Sequence, residues 1–189
     1  MDDSSSYEQL LSLYGTQESI PYSDLLNCVE WRQKRLIIIN RDNWQCRNCT
    51  KTGTDSVYSP GQKVIHFYED FINIEYLDEY GFIKEGVKKV VKQTSTPVYL
   101  HVHHTYYILS HKPWEYPDAS LETLCSECHT VFHEINRVPV WLDDSSRFME
   151  LHLTPCPRCS GVGHFPEHSH VEGGVCFYCR GARYTELMK

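Results

Sequence analysis

The chain has 189 residues and a formal net charge of −7, from 18 Lys and Arg against 25 Asp and Glu. This length suits one domain with a small appendage, and the absence of any long apolar run excludes a membrane-spanning helix. The N-terminus has neither a basic start nor an apolar segment, so it does not resemble a secretory signal. We therefore expect a cytoplasmic protein with no membrane partner.

The charge is distributed unevenly along the chain. Residues 1–30 hold six acids and no Lys or Arg, and we interpret residues 1–21 as an acidic N-terminal tail. Residues 31–51 hold six bases against one acid. This basic patch predicts local contacts with phosphate groups, although a solvated helix face explains the same pattern. The predicted phosphate-contacting residues are Arg32, Lys34, Arg35, Arg41 and Arg47.

Several elements can be predicted in chain order from the spacing of apolar residues. A polar cap followed by helical spacing predicts a helix over 22–39. Partial alternation of apolar and polar residues predicts one or two strands over 63–79 and another over 98–104. A second helix is expected from His129 onwards, and Pro139 ends it because proline lacks an amide hydrogen.

Eight of the nine cysteines form four Cys-x-x-Cys pairs. Disulfide frameworks rarely repeat this spacing, whereas zinc sites do, and a reducing compartment keeps thiols available for metal. The pairs are Cys46 and Cys49, Cys125 and Cys128, Cys156 and Cys159, and Cys176 and Cys179. Cys28 is left over, and we interpret it as a buried, inert thiol.

Four histidines lie among these pairs in a fixed order. His129 and His133 are four residues apart, so on a helix they share one face and can bind one cation. His103 and His104 are neighbours on a predicted strand, so their side chains point to opposite faces. One can then bind a metal while the other faces a water molecule. Phosphodiester cleavage needs both a metal that polarises the phosphate and a base that deprotonates water.

Three segments, RDNWQCRNC, LHVHH and LETLCSECHTVFH, resemble in this order the HNH endonuclease family, over roughly residues 22–137. The resemblance implies a ββα-metal fold, in which a β-hairpin and a helix grip one catalytic divalent cation such as Mg²⁺ or Mn²⁺. It also implies hydrolysis of phosphodiester bonds, chiefly in DNA. Phages, mobile elements and anti-phage defence are the settings in which such proteins often serve.

The resemblance assigns roles to residues by their position. The catalytic cation would be held by His103, His129 and His133, and His104 would be the general base. A structural zinc would be held by Cys46, Cys49, Cys125 and Cys128. The middle Asn of the family motif, which braces the loop that carries the base, is replaced here by Ser120. A hydroxyl makes fewer hydrogen bonds than an amide, so we expect either reduced activity or bracing by another residue.

The segment 154–189 is rich in Cys, Gly and His and poor in aliphatic residues, so it needs a metal to fold. Sixteen residues separate Cys159 from Cys176, which fits a four-cysteine zinc ribbon. The ligands would be Cys156, Cys159, Cys176 and Cys179. The first pair reads Cys-x-x-Cys-x-Gly-x-Gly and resembles the repeat of DnaJ-type chaperone zinc domains. The second pair has Arg183 where the last Gly would stand.

We therefore predict an α+β protein with a small HNH nuclease domain, its four-cysteine zinc site, and a small C-terminal zinc ribbon. The predicted boundaries are 1–21 for the tail, 22–140 for the nuclease domain with an insertion at about 52–98, 141–153 for a connector, and 154–189 for the ribbon. Two other classes stay open. One is a catalytically silent double-zinc adaptor that binds nucleic acid, and the other is a subunit that docks a protein partner through the ribbon or the acidic N-terminus.

Overall fold

The computed structural model describes residues 5–57, 64–109, 111–144, 149–168, 171 and 174–188. The chain forms two compact units. One consists of Met1–Lys51 and Tyr99–Lys189, and the other of Thr52–Val98. The second unit covers the segment that the sequence suggests is an insertion. Among the helices of the described residues, none has the length and apolar character needed to cross a membrane.

The first unit begins with three helices, α1 (Tyr7–Tyr14), α2 (Tyr22–Leu26) and α3 (Val29–Arg41). A capping box starts α1, because Ser6 Oγ accepts from the Gln9 N–H and Gln9 Oε1 accepts from the Ser6 N–H. The segment interpreted as an acidic tail therefore contains a helix. This helix packs through a small buried cluster formed by Leu10, Ile20, Leu25 and Cys28.

The helix predicted over 22–39 is broken between α2 and α3. Cys28 has an extended backbone, with φ −63° and ψ 149°. Contacts distant in sequence hold the break, since the Val29 N–H donates to Ser5 O at 3.2 Å and the Glu30 carboxylate accepts from the Tyr7 N–H at 3.0 Å. The helical spacing of apolar residues does not reveal these contacts, so the sequence does not predict the break.

The second unit is a three-stranded antiparallel sheet of β1 (Asp55–Val57), β2 (Ile65–Leu77) and β3 (Ile83–Thr94). The strands β2 and β3 form one long hairpin, paired from His66 with Thr94 to Leu77 with Ile83. Its turn is held by Asp78 Oδ1, which accepts from two backbone N–H groups. The hairpin exposes the apolar side chains of Phe71, Leu77, Phe82, Ile83, Val87 and Val91.

An antiparallel strand pair followed by a helix forms the centre of the first unit. The strand β4 (Leu100–His104) is followed by the short β5 (Tyr107–Ile108), and β4 pairs with β6 (Leu121–Cys125). The helix α4 (Ser126–Ile135) starts directly after β6. All five residues of β4 are buried, because α3 contacts the strand through His104 and α4 contacts it through His103.

A third small sheet connects the C-terminal segment to this centre. The strand β7 (Val140–Trp141) pairs in parallel with β5 and antiparallel with β8 (Glu150–Leu151). Beyond β8, Tyr184 packs against Tyr107 and Val140, and its hydroxyl donates to Val138 O at 3.3 Å. The predicted ribbon is therefore part of the first unit and shares a buried cluster with β5 and β7. The protein is a mixed α and β fold with two four-cysteine groups.

Candidate metal centres and histidine cluster

The first four-cysteine group joins the loop after α3 to the start of α4. The sulfur atoms of its members, Cys46, Cys49, Cys125 and Cys128, all lie within 4.8 Å of one another. Cys49 Sγ and Cys125 Sγ are 3.6 Å apart, and tetrahedral zinc with Zn–S bonds of about 2.3 Å places sulfurs about 3.8 Å apart. The Arg47 N–H donates to Thr123 O at 2.8 Å and so fixes the loop to β6. This group could hold a structural zinc ion.

Backbone hydrogen bonds favour the thiolate form of Cys46, whereas burial raises the pKa of Cys125 and of Cys128. Burial raises the pKa of Cys46, but N–H groups of Cys125, Cys49 and Asn48 outweigh it and bring that pKa to about 7. The Asn48 side-chain amide also donates to Cys128 Sγ at 3.3 Å. Metal binding requires the thiolate form, so these donors favour a bound cation.

The second four-cysteine group is the centre of the C-terminal segment. Its members, Cys156, Cys159, Cys176 and Cys179, are all buried. The Sγ atoms of Cys156 and Cys176 are 4.0 Å apart, and those of Cys159 and Cys179 are 3.7 Å apart. The Gly163 N–H donates to Cys159 Sγ at 3.3 Å. The spacing again fits tetrahedral thiolate ligands, so this group could hold a second structural zinc ion.

A third cluster consists of His103 on β4 with His129 and His133 on α4, and one ring nitrogen of each lies within 4.8 Å of the others. His129 Nε2 and His133 Nε2 are 3.2 Å apart. Two imidazole ligands on a tetrahedral cation, with bonds of about 2.0–2.1 Å, would be about 3.3 Å apart. The sequence-predicted triad is therefore brought together with a spacing that suits metal ligands.

Three ring nitrogens of this cluster have no hydrogen-bond partner among the described residues. His103 is only 1% exposed, and both of its ring nitrogens are in this group. The same holds for Nδ1 of His129. Buried polar atoms are normally hydrogen-bonded. A cation bound by Nε2 of His129 and Nε2 of His133 would also satisfy one of the two ring nitrogens of His103. The donor set therefore fits a metal ion.

Burial keeps these histidines neutral near pH 7. It lowers the pKa of His103 to about 3 and that of His133 to about 4, and it lowers the pKa of His129 well below the usual value. Neutral imidazole is the form that binds a metal. No proton has to be displaced before a cation enters.

His104 lies on the opposite face of β4. It is 3% exposed, and its ring is stacked on that of Trp31, with centroids 5.1 Å apart. Its Nε2 lies 2.9 Å from Pro113 O. Because a carbonyl only accepts hydrogen bonds, Nε2 carries the hydrogen and Nδ1 is left as the acceptor. Burial lowers the pKa of His104 to about 3.

Ser120, at the position of the family's middle Asn, is buried beside the same strand. Its Oγ donates to Pro117 O at 2.7 Å, and its carbonyl accepts from the Thr105 N–H at 2.9 Å. The loop between β5 and β6 is also held by Tyr116, whose hydroxyl accepts from the Ile108 N–H at 2.9 Å. Neither Tyr116 nor the carbonyl of Pro113 belongs to a sequence motif, which is why sequence reasoning missed them.

The predicted phosphate-contacting residues of α3 and the following loop differ in their surroundings. Lys34 pairs with Asp118, and Arg35 donates to Leu100 O at 3.1 Å. Arg41 contacts Asp42 and donates to Leu121 O at 2.7 Å. These three cations tie α3 to the strand pair and its loop. Arg32 and Arg47 are more exposed, and the Arg47 side chain, 61% of which is accessible to solvent, pairs with Asp42 at 3.5 Å.

A polar contact joins the C-terminal segment to the histidine cluster. His101, on the same face of β4 as His103, has Nε2 3.0 Å from Ser126 Oγ and 3.6 Å from a Glu167 carboxylate oxygen. Its ring lies 4.5 Å from that of His129. Although burial alone would raise the pKa of Glu167, His101 and Ser126 hold it at about 2. Glu167 therefore stays ionised beside the cluster.

No protein-family model, curated protein or solved structure matches this chain. Its function is therefore inferred from the geometry of its own residues.

Proposed function

We propose that the chain is a metal-dependent endonuclease of the HNH type that hydrolyses phosphodiester bonds, chiefly in DNA. The observation that carries the proposal is the buried cluster of His103, His129 and His133. Nε2 of His129 and Nε2 of His133 lie 3.2 Å apart, and neither ring nitrogen of His103 has a hydrogen-bond partner among the described residues. Two further features support it. The elements β4, β6 and α4 follow the order strand, strand, helix, and the first four-cysteine group connects to the start of that helix.

The three histidines would hold one divalent cation and leave positions for a phosphate oxygen and water. When bound, this ion would polarise the phosphate and stabilise the leaving oxygen. Imidazole nitrogen suits transition metals better than Mg²⁺, so we expect Mn²⁺ or Ni²⁺ to support cleavage better than Mg²⁺. The second four-cysteine group lies outside this reaction and serves to hold the C-terminal segment.

His104 would take the proton of the attacking water at Nδ1. The hydrogen bond from Nε2 to Pro113 O fixes this tautomer, and contacts with Trp31 and Tyr116 fix the orientation of the ring. Because only 3% of His104 is exposed and burial lowers its pKa to about 3, both substrate access and a basic His104 require Trp31 or the loop after β5 to move. This movement would be part of substrate binding.

A plasmid assay tests the proposal. Purified wild type, His104→Ala and His133→Ala are incubated with supercoiled DNA and Mg²⁺, Mn²⁺ or Ni²⁺, and the zinc content of each protein is measured. His152→Ala, which changes an exposed histidine, is the matched control. We expect nicking by the wild type and the control and a loss in both other variants, each of which keeps two zinc ions.

The other outcomes are equally informative. No cleavage by the wild type with any metal would contradict hydrolysis. If His104→Ala cuts DNA as well as the wild type does, His104 is not the base. If His133→Ala also cuts as well as the wild type, the activity comes from a contaminant.

A catalytically silent adaptor is the second candidate, and the burial of His104 favours it. Such a protein would bind nucleic acid or a protein partner, keep both zinc ions and cut nothing. The exposed apolar side chains of the β2–β3 hairpin favour a protein partner over nucleic acid for this candidate. A pull-down with the intact chain that retains a stoichiometric protein, together with no detectable DNA binding, would select this reading.

A further inference from the structure

Arg183 stands at a backbone position that suits glycine. Each Cys-x-x-Cys pair of the second four-cysteine group, with the four residues after it, forms a turn that we call a knuckle. The two knuckles repeat one conformation, in which Gly163 has φ 76° and Arg183 has φ 70°. Their hydrogen bonds are reciprocal, since the Cys176 N–H donates to Gly163 O at 2.9 Å and the Cys156 N–H donates to Arg183 O at 2.8 Å. A positive φ disfavours any residue with a side chain, and such positions often mark function.

The Arg183 side chain extends from the knuckle to the centre of the first unit. It occupies the space over Gly163, where an added Cβ would lie 2.7 Å from Arg183 Cγ. Its guanidinium carbon is 3.5 Å from the ring centroid of Tyr107 and 4.2 Å from that of Tyr22. The Tyr107 ring in turn contacts that of His104, with centroids 5.4 Å apart. Arg183 and His104 therefore contact the same tyrosine ring.

Among the described residues, this buried guanidinium has no counter-ion. Arg183 is 9% exposed, and its Nε has no hydrogen-bond partner in the same part of the chain. In the described part of the chain, no carboxylate forms an ion pair with it. A buried cation is unfavourable unless it is paired, and the two tyrosine rings compensate only in part. A planar guanidinium matches the oxygens of a phosphate group.

Arg183 also lines a cleft of about 600 Å³ between α2, β5 and the C-terminal segment. Tyr22 and Tyr107 contribute aromatic walls to this cleft. Lys112 and Arg180 add positive charge to its lining, which also contains Glu18, and Lys112 pairs with Glu115. Aromatic surfaces beside cations are typical of sites that bind nucleic-acid strands, because bases stack on the rings while cations contact the phosphates.

We propose that Arg183 binds a phosphate group of the substrate strand in this cleft, so that the C-terminal zinc unit supplies part of the substrate site. The inference rests on the proposed function and identifies a further contact for the same substrate. The zinc ion held by the second four-cysteine group then has a positional role, because it fixes the knuckle from which the arginine extends.

The test compares the wild type with Arg183→Met and Arg183→Lys. Arg158→Met is the matched control, because Arg158 belongs to the same zinc unit, lies 5.2 Å from the Phe177 ring and is exposed. Binding of a fluorescein-labelled DNA strand of about 16 nucleotides is measured by anisotropy over a range of salt concentrations. No divalent cation is added, so binding is read without cleavage, and zinc content is measured for each protein.

We expect Arg183→Met to weaken DNA binding by about tenfold or more and to reduce the slope of log K against log salt by about 0.7. Arg183→Lys should keep the slope with intermediate affinity, and Arg158→Met should match the wild type. Wild-type affinity in Arg183→Met with both zinc ions present would overturn the inference. Weaker binding with an unchanged salt slope would also overturn it, since that describes a packing role alone.

If Arg183→Met loses zinc, Arg183→Gly replaces it, because glycine suits the positive φ and repeats the residue of the first knuckle. Cleavage by the wild type together with undiminished DNA binding by the Arg183 variant would support the nuclease and contradict a phosphate contact by Arg183. DNA binding that depends on Arg183, without cleavage by the wild type, would support the phosphate contact and contradict hydrolysis. No binding by the wild type would contradict both.

Discussion

The Arg183 side chain fills the place that a side chain at Gly163 would occupy, with Cγ 2.7 Å from the position of an added Cβ. The two residues hold equivalent positions in the two knuckles, so only one of them can carry a side chain.

Gly163→Ala should therefore be destabilising for two reasons. The positive φ costs a residue with a Cβ about 1 kcal/mol, and the contact with Arg183 adds a further cost of about 1–3 kcal/mol from overpacking. Gly15→Ala is the control, because Gly15 has φ 82° with nothing within 4 Å of an added Cβ. Urea unfolding of both variants separates the steric cost from the conformational one.

The double variant Gly163→Ala with Arg183→Gly completes the cycle. Removal of the arginine side chain should restore the part of the free energy of unfolding that the steric contact costs, but not the part that the positive φ costs. Additive effects of the two changes would contradict the assigned contact.

Asp42 connects the end of α3 to β6 and should make stability depend on pH. Its carboxylate is buried, accepts from the Thr123 N–H at 3.0 Å and pairs with Arg41 at 2.9 Å. Burial raises its pKa, but these hydrogen bonds outweigh burial and lower it below the usual value. A lowered folded-state pKa gives stability that is complete above the unfolded value and is lost as pH falls through the folded one.

We expect Asp42→Asn to lower the free energy of unfolding by about 1–3 kcal/mol at pH 7. The difference from the wild type should shrink as the pH falls below about 4. Urea unfolding across this range measures it. A difference that stays constant with pH would show that shape, and not charge, accounts for the loss.

Cys46 and Cys28 are both buried but should respond differently to substitution. Cys46→Ser should reduce the zinc content from two ions to one and destabilise the junction between α3 and α4. Cys28→Ala should keep two zinc ions, because Cys28 packs among apolar residues and burial raises its pKa to about 12. Elemental analysis after gel filtration decides this, and zinc loss from Cys28→Ala would contradict the ligand assignment.

A third metal ion should bind at the histidine cluster independently of the two zinc ions. We expect a mild chelator to remove it without unfolding the chain, since neutral imidazoles hold a cation less tightly than four thiolates do. His133→Ala should lower the affinity for added Mn²⁺ or Ni²⁺ by more than about tenfold. Isothermal titration calorimetry on zinc-loaded protein measures this. Equal affinities in the variant and the wild type would place the added ion elsewhere.

The cysteine groups and the histidine triad could be predicted from the sequence because metal ligands follow local spacing. His129 and His133 share a helix face by their separation alone, and the structure brings both of them to His103. The strand predicted over 98–104 is present as β4, and the helix expected from His129 begins slightly earlier, at Ser126.

Features that depend on packing between distant segments could not be predicted. The burial of His104 follows from its contact with Trp31 on α3, and sequence spacing does not show this contact. The charge of Lys34 and Arg35 suggested phosphate contacts, but a charge pattern does not reveal that Asp118 and the Leu100 carbonyl lie within their reach. The sequence shows Arg183 at a position where the motif has a glycine, but it does not show that the arginine side chain lies against Tyr107.

The order in which the chain is synthesised would have a consequence for the proposed nuclease. His133 completes the candidate metal ligands, but Arg183 follows only fifty residues later. At a translation rate of about 5–20 residues per second, that interval lasts about 3–10 s. Throughout this time the nascent chain carries the histidines without the cleft, the second zinc group or the buried arginine. In the proposed nuclease, full affinity for a strand would arise only after the C-terminal segment has left the ribosome. Nearby nucleic acid would then be protected from cleavage by the incomplete chain.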